Sequence, residues 1–136
     1  SCMEIVLTLY SRMNVSPEKQ NDPDRDRFVL SKGHCVETLY AVLADKGFLD
    51  IHEVKAEFSR FGSEYIGHPH NTLPGIEMNS GSLGHGLSVC VGMALAGYGV
   101  WAGVHPDGRR GAGGRLRLGG VDGCRALSAG QPLRRG

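Results

Sequence analysis

Residues 67–97 read GHPHNTLPGIEMNSGSLGHGLSVCVGMALAG, and this stretch constrains the fold more than any other. It opens on a turn-like GHPH, passes Pro74-Gly75 and reaches Asn79-Ser-Gly-Ser-Leu-Gly-His-Gly86. From Leu83 to Ala96 it is rich in small and apolar residues. Glycine permits positive φ and close approach of backbone to a ligand, so exposed amides can face an anion or a ring edge. Asn79, Ser80 and Ser82 are candidate N-caps for a following helix whose positive end favours phosphate. Gly84, Gly86, Ser88, Gly92, Ala94 and Ala96 let that helix pack closely on a sheet. On spacing alone the stretch is a glycine-rich loop entering a buried helix.

The upstream chain supplies the sheet. Met3, Val6, Leu7, Tyr10 and Met13 fall at helical spacing within Cys2–Met13 and predict an amphipathic helix. Residues 14–25 read as a polar, proline-marked surface loop. Asp22, Asp24 and Asp26 alternate there without the glycine hinge or bidentate Glu of a calcium loop, and read as solvated. Arg27–Leu30 predicts a short buried strand. Ser31-Lys-Gly-His34 follows directly, at the carboxyl end of a strand and before a helix over Cys35–Lys46. Open α/β folds bind ligands at that place. Taken alone, His34 reads as a helix cap. A second amphipathic helix is predicted from Asp50 to Phe61, with Ile51, Val54, Phe58 and Phe61 on its apolar side and His52 on its surface.

Two strings taken together carry more than either alone. DRDRFVLSKGHCVETLYAVLADKGF, followed by GHP and PGIEMNSGSLGHGLSVCVGMALAG, closely resembles the transketolases, which use thiamine diphosphate to move two-carbon ketol units between sugar phosphates. Single-chain members usually read GQG at Gly84-His85-Gly86. GHG is similar to transketolases split into two polypeptides, where the N-terminal subunit carries this stretch. The resemblance covers Cys2 to Gly97. It implies an α/β thiamine-diphosphate-binding fold, here partial, with a mainly parallel sheet and flanking helices. It also implies that His34 lies beside the cofactor's diphosphate and thiazolium ring. His68 of GHP would hydrogen-bond a hydroxyl of the donor sugar, a task suited to an imidazole that donates, accepts and titrates near neutrality. Gly81-Ser82-Leu83 would hold the aminopyrimidine through the backbone of Gly81 and Leu83. His85 is either a helix-surface side chain or a support behind the residues that touch the cofactor, and His70 has no family counterpart. The family's earlier GHxGGxxS stretch is absent, and the chain, opening inside a helix without an initiator Met, reads as a fragment.

Composition divides the 136 residues in two. The formal net charge is +1, which gives no overall case for nucleic acid or membrane. Residues 1–98 hold eight Lys/Arg against twelve Asp/Glu, a balance of −4, whereas 99–136 hold seven Arg and two Asp, a balance of +5. That second part has eleven Gly and no Lys, Ile, Phe, Asn, Glu, Met, Thr or Tyr. It shows neither helical nor strand periodicity and predicts an irregular, disordered tail over 98–136 beside a domain over 1–97. GRRGAGGRLR has the look of an RNA-binding Arg/Gly tail but lacks interleaved aromatics. The genetic code offers another reading. Reading the codons allowed for His105 to Leu133 one base later permits TLMGDGE at slots 105–111, SVWE at 116–119 and HYxLDNL at 126–132. GDGE, SVWE and HYKLDNL are the next transketolase motifs in that order, so the tail is expected to be a frameshifted translation from about Gly97.

The chemistry expected of the chain follows. In the family the Asp of GDG and a later Asn bind the Mg²⁺ that carries the diphosphate, oxygen ligands suiting that hard ion. Asp107-Gly108 and Asp122-Gly123 lack that context, so the chain as written is expected to hold no metal site. Cys2, Cys35, Cys90 and Cys124 are scattered without metal-like pairing and read as reduced cytoplasmic thiols. No signal peptide and no apolar run of bilayer length is present. The resemblance implies a transketolase fragment that acts on sugar phosphates and is completed by a C-terminal subunit or domain, which carries the glutamate that activates the aminopyrimidine. The complete enzyme would be a homodimer or a heterotetramer. Alone the chain is expected to be inactive. The alternatives are a dihydroxyacetone synthase-like enzyme of the same cofactor superfamily and a non-catalytic module with an RNA-binding tail.

Overall fold

Strand β1 (Asp26–Leu30) ends in three consecutive buried side chains, Phe28, Val29 and Leu30. Successive side chains of a strand point to opposite faces, so such a run needs cover on both sides. In the computed structural model, which describes residues 2–96 in full and the backbone of 99–104, 116–120 and 123–128, both sides are covered. Phe28 and Leu30 join the larger core with helices α1 (Cys2–Arg12) and α2 (Val36–Asp45). Val29 packs on the other face against Cys90 and Ala94 of α4 (His85–Leu95). Helix α3 (Ile51–Glu57) adds Val54 to the larger core.

β1 begins a four-stranded sheet in the order β1-β2-β3-β4, with β2 at Gly99–Val104, β3 at Leu116–Gly120 and β4 at Gly123–Ser128. β1–β2 and β2–β3 are parallel, and β3–β4 is antiparallel. Phe28 pairs with Trp101 and Leu30 with Gly103 in register. Three strands therefore lie where an irregular tail was expected. Ladder bonds are made by main-chain groups that every non-proline residue carries, so weak side-chain periodicity does not prevent a glycine-rich segment from pairing. Asp107-Gly108 and Asp122 lie outside the described residues.

The helices depart from their predicted faces in two places. Met3 and Leu7 of α1 are 37% and 46% exposed, and the buried face is Val6, Leu9, Tyr10 and Met13. Val6, Tyr10 and Met13 thus lie on the expected face, with Leu9 in place of Met3 and Leu7, and Tyr10 meets Phe28 edge to face with ring centroids 5.3 Å apart. The helix expected over 50–61 ends at Glu57. Asp50 caps it by accepting from the His52 N–H at 2.8 Å. Ser59 then takes φ 60°, which turns the chain away and leaves Phe61 fully exposed.

A charged contact joins the first half of the chain to the glycine-rich stretch. The guanidinium of Arg25 donates from both terminal nitrogens to Glu77, with Nη2 3.1 Å from Oε2, and Arg27 Nε lies 3.9 Å from the same oxygen. Arg25 and Glu77 are each only 12% exposed. Tyr10 is buried beside them; its burial, and next the Glu77 charge, hold its phenol well above the ordinary range. The alternating aspartates build turns: Asp22 Oδ1 accepts from the Asp24 N–H at 2.9 Å and Asp26 Oδ2 from the Asn14 N–H at 2.8 Å. Replacing Glu77 by Ala leaves two guanidinium groups without their largely buried carboxylate, and is expected to cost about 2–3 kcal/mol. Urea unfolding followed by circular dichroism measures it.

Candidate functional site

Three segments far apart in sequence meet at the turn that follows β1. The chain leaves the strand at the buried Ser31, runs through Lys32 and makes a single 3-10 turn over Gly33–Cys35 before α2 begins. Gly33 is buried, and a β-carbon placed there would lie 2.3 Å from Ser80 Oγ, 2.9 Å from His68 Cδ2 and 3.3 Å from Pro69 Cδ. No side chain fits in that space. The backbone of the turn is thus in contact with the GHP segment and the NSG segment together. A second close approach stands alongside: a β-carbon at Gly86 would lie 2.8 Å from the Ser31 Cα. The start of α4 therefore packs directly on the main chain at the end of β1.

Side chains fix the loops that reach this junction. The Tyr40 hydroxyl on α2 donates to the Ile66 carbonyl at 3.0 Å, with the His68 carbonyl at 3.5 Å. Burial first, then the neighbouring Tyr65 and Glu37, push the Tyr40 phenol up to about 12, so it stays protonated and remains a donor near neutrality. Asn79 Oδ1 accepts from the Asn71 N–H at 2.7 Å, and the Ser80 N–H donates to the Pro69 carbonyl at 3.4 Å. These bonds hold the two ends of the 67–80 segment together. His70 Nδ1 lies 2.8 Å from Thr72 Oγ1, so this histidine braces its own loop.

The junction has an open side. His34 is exposed, His68 is half-buried, and Gly81, Ser82 and Leu83 are exposed, with open space around Gly81. Helix α4 starts after Gly84, whose φ of 85° no β-carbon favours. Asn79, Ser80 and Ser82 were expected as N-caps and do not cap it. The first turn carries no side-chain cap, and the His85 N–H donates instead to the Ser82 carbonyl at 3.2 Å. His85 stands exposed at the helix start.

Residues 1–110 match the family described as the transketolase thiamine diphosphate binding domain. This chain belongs to that family. It is 54% identical over 97 residues to one of the subunits of the apulose-4-phosphate transketolase of Phocaeicola vulgatus, covering 71% of this chain and 34% of the relative. It is 46% identical over 89 residues to transketolase 1 of Saccharomyces cerevisiae, covering 65% and 13%. Its fold is similar to the crystal structure of Pichia stipitis transketolase in complex with sedoheptulose 7-phosphate, with TM-score 0.66 and 32% identity over 71% of this chain and 17% of that one. The chain thus spans about a third or less of the length of these relatives.

The family's cofactor can be tested against the residues present. The Ser31 and Ser80 hydroxyls are buried without a hydrogen-bond partner beside the Gly33 turn, and Gly81, Ser82 and Leu83 are exposed. An exposed glycine-containing segment on a closely packed base leaves room for a bound ring, so this wall fits thiamine diphosphate. Among the described residues no three His, Cys, Asp or Glu side chains group as metal ligands. Sequence reasoning missed Tyr40 and gave Asn79 a capping role in place of its bond to the Asn71 N–H. A tyrosine at a buried helix position is itself a signal, since its hydroxyl must find a partner, but which partner is a tertiary matter. Gly33→Ala is expected to cost about 1–3 kcal/mol by overpacking. Adding Ser80→Gly should restore only part of this, because His68 and Pro69 still crowd the new methyl. A double-mutant cycle in thermal unfolding reads the coupling.

Proposed function

We propose that this chain forms one wall of a thiamine-diphosphate site in an enzyme that transfers a two-carbon ketol unit from a ketose phosphate to an aldose phosphate. The observation that carries this is the Gly33 junction, where the SKGH turn, the GHP segment and the NSG segment meet at the carboxyl end of β1. Thiamine diphosphate, when bound, supplies the nucleophilic carbon and the electron sink. The residues of this chain bind and orient. His34, on the turn after β1, lies toward the diphosphate and thiazolium. The His68 imidazole, its backbone held by Tyr40, bonds a hydroxyl of the donor sugar and can donate or accept as needed. The main chain of Gly81 and Leu83, with Ser82 between them, holds the aminopyrimidine, as preorganised backbone groups do better than flexible side chains.

The site is completed by a C-terminal subunit or domain, giving a homodimer or heterotetramer in the cytoplasm, with Mg²⁺ ligands from outside the described residues. The similarity to a protein whose name makes it one component of a multi-subunit transketolase supports a partner chain. Alone, this chain does not turn over. The test is calorimetric titration of thiamine diphosphate with Mg²⁺ into the chain, with and without the C-terminal subunit of a split transketolase, alongside a ketol-transfer assay. His34→Ala should weaken cofactor affinity about tenfold, the scale of one charge-assisted hydrogen bond. His68→Ala should leave affinity unchanged and lower kcat/KM about 100-fold or more. Turnover by the isolated chain, or unchanged cofactor affinity in the His34 variant, would refute the reading.

We also infer that residues from about Gly97 onward are a frameshifted translation. The family match runs to residue 110 of the 136 and not to the end, which supports a break in the last part of the chain. Sequencing codons 90–136 on both strands decides it: one inserted or missing base near codons 97–105 should restore GDGE and SVWE, and an intact frame would remove the inference.

A further inference from the structure

We infer that Ser80 is a positioning residue for His68: its hydroxyl donates to Nε2 of the imidazole and so fixes which ring nitrogen carries the proton. The two side chains meet at Gly33. A β-carbon placed on that glycine would lie 2.3 Å from Ser80 Oγ and 2.9 Å from His68 Cδ2, so both atoms border one small volume. Cδ2 is bonded to Nε2, which makes Nε2 the ring nitrogen next to this contact. The third atom at this place, Pro69 Cδ, belongs to a ring with no N–H to offer.

The main chains of the two residues are already fixed to one another. The Ser80 N–H donates to the carbonyl of Pro69, the neighbour of His68, at 3.4 Å. The Tyr40 hydroxyl donates to the Ile66 carbonyl at 3.0 Å, with the His68 carbonyl at 3.5 Å. Asn79 Oδ1 accepts from the Asn71 N–H at 2.7 Å and closes the same loop. What remains free is rotation of the serine about Cα–Cβ and of the imidazole about its two side-chain bonds, and such a rotation closes the pair.

The chemistry of the place asks for this bond. Asn79 and Gly81 are exposed, yet the Ser80 hydroxyl between them is sealed from solvent and has no hydrogen-bond partner. A buried donor left unpaired is destabilising, so such a group calls for an explanation in function. Among the described residues neither ring nitrogen of His68 has a partner either. A neutral imidazole nitrogen accepts well, and the side chains nearest Gly33 offer the hydroxyl proton no other acceptor. Ser31, the other buried hydroxyl without a partner, differs, because it abuts the main chain of Gly86 and no titratable ring. With Nε2 taken by Ser80, the proton sits on Nδ1 and the ring offers an N–H on its far edge. Its use rests on the thiamine-diphosphate reading: the oxygen of the donor sugar that meets His68 is then an acceptor, held by one directional N–H.

The experiment has two arms. In the first, nitrogen-15 imidazole shifts of the full chain are read at a pH where the ring is neutral, with His68 assigned by the signals lost in His68→Gln. The wild type should carry the proton on Nδ1. Ser80→Ala, and Ser80→Cys, which fills the space with a weak donor, should both return the ring to the Nε2–H form. This arm needs neither cofactor nor sugar. The second arm measures ketol transfer by the chain combined with thiamine diphosphate, Mg²⁺ and the C-terminal subunit of a split transketolase. Both variants should lose about tenfold in kcat/KM for the donor, with cofactor affinity unchanged. A His68 tautomer identical in wild type and Ser80→Ala would overturn the inference. So would a Ser80→Cys variant that matches the wild type in both arms, since Ser80 would then only fill space. A tautomer shift in a chain whose complex does not turn over supports the pair and counts against the ketol-transfer reading.

Discussion

The site side of this molecule depends on two missing β-carbons. At Gly33 and Gly86 the main chain is approached more closely than any side chain permits, by Ser80 and His68 in one case and by Ser31 in the other. Protein interiors are packed to the density of organic crystals, so contacts of this kind fix relative positions to fractions of an ångström. The SKGH turn, the GHP segment and the start of α4 form one body because nothing larger than hydrogen separates them. Histidines and exposed main chain carried by that body inherit its rigidity, which orientation-dependent chemistry requires.

The layers behind the site explain how such a junction is reached. β1 is buried on both faces, with Phe28 and Leu30 against α1 and α2 and Val29 against α4. A short strand clamped in this way presents its carboxyl end at a fixed height between two helix layers, where the turn to His34 begins. Arg25 and Glu77 act at the other end of β1, bridging the chain just before the strand to the segment leading into Ser80. The ion pair and the glycine contacts therefore hold the long 67–86 excursion at both ends of one strand. The membership of the transketolase thiamine diphosphate binding family is consistent with this geometry, since a cofactor site at the carboxyl ends of the strands is the usual place in open α/β sheets.

Much of this was legible beforehand, and the failures have identifiable causes. The apolar run Phe28–Leu30 announced a strand covered on two sides, and the polar cluster after it announced the turn. On α1, Val6, Tyr10 and Met13 are buried as expected, whereas Met3 and Leu7 gave way to Leu9, because helical spacing admits all three at the edge of one face. The third predicted helix ran too far because Phe58 and Phe61 continue its pattern, while the positive φ at Ser59 is a backbone decision that no apolar spacing reveals. The cap of α4 was sought among hydroxyl and amide side chains, yet the left-handed Gly84 performs the turn. Tyr40 escaped notice and Asn79 was given the wrong partner because both bind main-chain groups, which look alike in every sequence.

What the sequence by itself determined is the set of local parts: the buried strand, the helices to either side, the glycines and the order in which the histidines occur. Local parts follow from periodicity, backbone sterics and turn chemistry, all of which act between residues close along the chain. Only the tertiary structure decided that Gly33 abuts Ser80 and His68, that Tyr40 reaches the carbonyls before and within GHP, and that Cys2 meets Thr38. Those contacts join residues tens of positions apart. They are selected by how whole helices pack on both faces of one strand, and no window along the chain contains that information.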